Sequence, residues 1–127
     1  MSRRNVEIVE AIHAEWAEGR LGRELMADDI RYVNPPDALE PGTREGADSF
    51  NNVFEVYSDL RFEIDRLIDA GDERVVMVGT MEGVARLTGL EMTRSHSQVW
   101  TIRDGKAVSM QWFHTEAEAL EAAGLPE

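Results

Sequence analysis

A chain of 127 residues, 43% of them hydrophobic, is long enough for one domain with one core and too apolar to stay disordered. The absence of cysteine excludes disulfides, thiolate nucleophiles and cysteine-based zinc sites together. A net charge of -12 excludes nucleic acid as an expected partner, and it disfavours strongly anionic substrates unless a local arginine overrides the field.

The opening MSRRNVEIVE is basic but has no apolar stretch behind it, so no secretory signal is expected. No apolar run approaches the length of a membrane span, and the expected location is the cytoplasm. Residues 4–19 have helical periodicity, with Val9, Ile12, His13 and Trp16 on one stripe and Gly19 as the stop. A short helix with Leu21, Leu25 and Met26 inward follows. DDIRYVN then reads as a strand halted at Pro35-Pro36, and PPDALEPGTREG as a loop. Phe50, Val53, Phe54 and Tyr57 have the spacing of a third helix.

From Leu60 to Asp69 apolar and polar residues alternate, as in a half-buried strand. Further strands are expected over 74–85, 91–103 and 106–114. Thr115 with Glu118 forms a capping box that opens a last helix through Ala119, Leu120 and Ala123, stopped at Gly124. These elements predict an α+β class, with helices packed on one face of a curved antiparallel sheet, in a single domain over 1–127.

The hairpin at RDGK has two readings. A two-residue loop on Asp104-Gly105 pairs Trp100 with Ser109. A three-residue loop with a bulge at Gly105 pairs Trp100 with Val108, Gln98 with Met110 and His96 with Trp112. Only the second joins the apolar sides of both strands, so it is the expected one. A simple hairpin at RLTG puts Glu82 opposite Arg94 and Thr80 opposite His96. One face then carries a core at one end and Glu82, Arg94, His96, Gln98, Trp112 and His114 at the other, like the wall of a small-molecule cavity.

ADDIRYVNPP, GTREG, VWTIRDGKAVSMQWF and EAEALEAAGL together resemble the nuclear transport factor 2-like, or ketosteroid isomerase-like, superfamily, and within it the SnoaL-like (polyketide-cyclase-like) branch. The resemblance implies a cone-shaped curved antiparallel sheet wrapped around N-terminal helices, with a C-terminal helix. That fold hosts isomerases, cyclases, dehydratases, hydrolases and pure binders. Asn34 stands where ketosteroid isomerases carry the aspartate base, Gln98 where they carry the oxyanion-hole acid, and Ile12 near their oxyanion tyrosine. Tyr32-Val-Asn34 resembles the water-holding pair of limonene-epoxide-type hydrolases. Their Arg-x-Asp and last-strand Asp fall at Glu82-Gly83-Val84 and Trp112. His96 and Gln98 resemble the supporting pair of the cyclases, whose acid/base aspartate again falls near Trp112.

His96 is a candidate general acid or base, or else a histidine hydrogen-bonded in the core. Glu82 is a second catalytic candidate, or a structural partner of Arg94. Tyr32, Asn34, Gln98, Arg94, Trp16, Trp112 and His114 are expected ligand-binding residues, with Phe50 and Phe54 also in the core or lining. No HxH, HExxH, Walker or dinucleotide motif is present, so neither metal nor cofactor is expected. The expected function is a small-molecule pocket, with acid/base chemistry on an apolar, oxygenated substrate of polyketide or terpenoid type. The alternative is non-catalytic binding or a dimeric scaffold. The outer sheet face, with Val99 and Phe113, suits a homodimer.

Overall fold

Alternating side chains and an amphipathic helix at either end set the architecture. The computed structural model describes residues 3–36, 42–50, 55, 57–71 and 73–125. Helix α1 (Arg3–Ala17) buries Ile8, Val9, Ile12, His13 and Trp16 along one stripe. A 3-10 turn (Arg23–Leu25) leads into β1 (Met26–Asn34) and β2 (Gly42–Glu45). A second 3-10 turn (Ala47–Phe50) precedes β3 (Tyr57–Asp69), β4 (Arg74–Ala85), β5 (Glu91–Arg103) and β6 (Lys106–Phe113). Helix α2 (Glu116–Ala122) starts at Thr115 with the expected capping box.

The six strands form one curved, open sheet in the order β2-β1-β6-β5-β4-β3. Neighbours are antiparallel except β1 and β6, which run parallel, so the sheet is mixed rather than wholly antiparallel. Strand β2 lies inside the segment expected to be a loop, paired to β1 from Arg31↔Glu45 to Asn34↔Gly42. Of the expected third helix, Phe50 ends the second 3-10 turn, Glu55 is helical and Tyr57 begins β3, while Val53 and Phe54 lie outside the described residues.

The helices do not share one face. Helix α1 lies on the concave side, its side chains in the main core with Ile30, Val75, Trp100, Ile102 and Met110. Helix α2 packs Ala119, Leu120 and Ala123 on the other side, against Val76, Val78 and Val99. It therefore covers part of the face expected to meet a second copy, with Phe113 at its edge.

Two registers differ from expectation, and both differences come from turn length. The β5–β6 hairpin uses the two-residue loop, with Asp104 at φ 53° and Gly105 at φ 79°, the signature of a type I′ turn. Alone, that loop would turn the apolar side of β6 to solvent. An extra residue, Val108, sits in β6 between the pairs Ile102↔Ala107 and Thr101↔Ser109 and restores the faces. Trp100 then pairs with Met110 and Gln98 with Trp112. The faces are as expected and the partners are shifted by two.

The β4–β5 hairpin closes on Ala85 and Leu90, with Gly89 left-handed at φ 72°, so its loop holds an even number of residues. Gly79 thus faces His96, Met81 faces Arg94, and Glu82 faces Thr93. This one-residue difference moves Thr80 and Glu82 to the convex side. Gly79 is required where it stands. A Cβ there would lie 2.0 Å from the Glu63 carbonyl oxygen of β3.

Candidate functional site

Every second residue of β5 climbs one wall of the concave side. Trp100 and Gln98 are fully buried, His96 is 6% exposed, and Arg94 is exposed. Beside this wall is a cavity of about 100 Å³. Trp16, Tyr32, Phe50, Gln98 and Met110 line its buried part, with His96 and Trp112 above them. Tyr57, Arg94, Ser95 and His114 line its more open part.

Gln98 is the hub. Its Oε1 accepts from the Trp100 indole N–H at 2.8 Å and lies 2.8 Å from His13 Nε2. Its Nε2 lies 3.0 Å from His96 Nε2. An indole N–H only donates, so the Gln98 oxygen must face Trp100, and the amide orientation follows. His13 must then donate from Nε2. The Gln98 amide N–H donates to His96, whose Nε2 must be an unprotonated acceptor. The proton of neutral His96 is therefore on Nδ1.

Burial drives the same result energetically. Desolvation, partly offset by the bond His13 donates to Gln98, lowers His13 to about 4. His96 is lowered to about 3, chiefly by burial and then by the charges of His13 and His114. Tyr32 is pushed up to about 12 by burial, against its bond to Trp112 and the charge of Arg44. The site is thus neutral around pH 7 at its buried end. Among the described residues no buried side-chain nitrogen or oxygen lacks a partner.

Of the expected residues, His96, Gln98, Tyr32, Arg94, Trp16, Trp112 and His114 are brought together around the cavity. Asn34 stands behind it. Its Oδ1 accepts the Trp112 indole N–H at 2.5 Å and so holds that ring over the cavity. Trp16 donates its indole N–H to the Leu21 carbonyl at 3.0 Å, which ties α1 to the turn after it. His114 meets Trp112 edge-on with centroids 5.0 Å apart.

Glu82 is not brought to the cavity. It accepts from Arg61 at 3.1 Å on the convex side of the β3–β4 pair, and the expected Glu82–Arg94 pair does not form. The reason is the even loop that closes β4–β5. His13, expected on the apolar stripe of the first helix and given no role at the site, belongs to the hydrogen-bonded centre. Its position one turn before Trp16 on the buried stripe was the available signal. Among the described residues no group of three histidines and carboxylates is placed to hold a metal.

A family model described as SnoaL-like domain matches residues 8–110. No curated protein matches the sequence significantly. Among solved structures, an NTF2-like protein of unknown function from Burkholderia pseudomallei is 25% identical, with a TM-score of 0.76 over 95% of this chain and 97% of that one. TerC, co-crystallized with polyporic acid, is 26% identical, with a TM-score of 0.73 over 94% of this chain and 98% of its own. A protein with a ketosteroid isomerase-like fold from Catenulispora acidiphila, in complex with trimethylamine, is 18% identical, with a TM-score of 0.71 over 94% of each chain.

Proposed function

Because the chain belongs to the SnoaL-like family, we propose that it is a small-molecule-binding protein that takes an apolar, oxygenated molecule into the cavity beneath Trp112. The observation that carries this reading is the fixed, neutral His96 beside that cavity, held by Gln98 at 3.0 Å. A buried polar network completed on one side and open to a hollow on the other is suited to orienting a ligand. TerC's co-crystallization with polyporic acid supports a small organic ligand here.

The chemistry offered is hydrogen bonding to oxygen. His96 has its Nδ1–H to give, and a neutral imidazole polarises a carbonyl without charging it. No carboxylate is among the described residues lining the cavity. With Glu82 on the convex side, abstraction of a proton by a carboxylate is not part of this reading. His96, with its basicity reduced by burial, acts as a donor toward the ligand rather than as a strong base. Tyr32 and Trp112 place the ligand, and Asn34 places Trp112.

The protein works as a single domain in the cytoplasm, as a homodimer through the part of the convex face that α2 leaves uncovered, around Val33, Ser109 and Gln111 of β1 and β6. Light scattering then gives twice the mass of the chain; a monomer alone refutes the dimer.

The test of the cavity is occlusion. Quenching of tryptophan fluorescence by small cyclic ketones and aldehydes is expected to saturate in the wild-type protein. Met81→Trp, which fills the hollow from β4, is expected to remove that saturation with melting unchanged within a few degrees. Quenching that survives the occlusion refutes the reading.

A further inference from the structure

Among the described residues that line the cavity Arg94 is the one charged side chain, and it stands at the exposed end. Its placement follows from strand geometry. It is two residues beyond His96 on the same side of β5 and faces Met81 across β4. Tyr57, Ser95 and His114 share its end of the cavity, and none is an acid.

Elsewhere five arginines are taken up by acids. Arg20 pairs with Glu15, Arg23 with Asp48, Arg61 with Glu82, Arg66 with Glu116 and Arg103 with Glu73. Arg94 has no such pair among the described residues. The chain holds 25 acids to 13 lysines and arginines, and even so no carboxylate among the described residues pairs with the guanidinium beside this aromatic hollow.

The rest of the described lining supplies no anion. The histidines and amide at the buried end are neutral, and the aromatic rings there favour a flat, apolar body. A guanidinium presents paired donors that match a carboxylate's two oxygens. The cavity volume is about 100 Å³, so the body that enters is small.

Deepening the reading above and resting on it, we infer that the ligand is a small, flat monocarboxylate, seated with its apolar body against Trp112 and Phe50 and its carboxylate on Arg94. Arg94 thus selects an anion locally against the repulsion of a chain with net charge -12.

The experiment compares three probes of one shape and different charge, namely benzoate, benzamide and benzylamine, by tryptophan fluorescence and calorimetry at pH 7 and low salt. Benzoate is expected to bind at least tenfold more tightly than benzamide, and benzylamine more weakly still. Arg94→Gln, at an exposed position, is expected to keep the melting temperature and to reduce benzoate to the affinity of benzamide. Added salt is expected to weaken benzoate and leave benzamide unchanged. Equal binding of all three probes, or a benzoate preference that survives Arg94→Gln, overturns the role of Arg94 while leaving the cavity reading intact. Tightest binding of benzylamine overturns it in favour of an aromatic cation site. Failure of all three to bind removes both readings.

Discussion

At the scale of single residues, Gln98 decides the protonation of its neighbours. An isosteric leucine at 98 would leave the Trp100 indole N–H and the His13 Nε2–H buried without an acceptor. Each orphaned donor costs about 1–3 kcal/mol, so Gln98→Leu is expected to lower stability by about 2–6 kcal/mol in urea unfolding. A loss below 1 kcal/mol would mean that water replaces the amide. The same wiring is visible in the intact protein. Nitrogen shifts of the imidazoles should show His96 protonated on Nδ1 and His13 on Nε2, and the opposite tautomer at His96 would refute the assigned amide orientation. His96 and Gln98 were legible in the sequence because strand alternation alone puts them on the Trp100 side. Their coupling to His13 was not, since it joins residues 85 apart through the packing of α1 on the sheet.

At the scale of elements, the turns govern what each strand presents. Strands β4 and β5 have the bounds their alternation predicts, and α2 has its expected cap. The sequence pattern did not settle how many residues each loop spends. An even loop at Arg86–Gly89 moved Glu82 out of the site, and a bulge at Val108 kept Trp112 in it. Strand β2 was hidden because a Pro- and Gly-rich segment reads as loop whether or not a neighbour pairs with it. Such facts depend on partners distant in the chain and leave weak local traces. Gly79 shows how tightly the elements interlock, because β3 passes over it where its own register shifts between Ile64 and Arg66. Gly79→Ala is expected to cost about 3 kcal/mol, at the upper end for an overpacked core, because the obstacle is backbone and has no rotamer to change. Melting within 3 °C of the wild type would show that β3 yields freely.

For the molecule as a whole, the buried histidines couple stability to pH. Both have folded-state values below the ordinary 6.5, at about 4 for His13 and about 3 for His96. Below pH 6.5 the unfolded chain therefore takes up protons that the folded chain refuses. Stability is fully present above that value and is lost as pH falls toward 4 and then 3. Each histidine contributes a slope of up to about 1.4 kcal/mol per pH unit. Urea midpoints measured from pH 7 to 4 are expected to fall, and His96→Gln is expected to flatten the decline; an unchanged slope in that variant would place the effect elsewhere. The two-sided covering of the sheet has a further consequence. At Ser97, Gln98, Val99 and Trp100, β5 is buried by α1 and the hub on one side and flanked by the α2 cluster on the other, with β4 and β6 bonded along both edges. Those four amides have no route to deuterium short of opening the entire domain, so they should be the last to exchange and should report its global unfolding free energy directly.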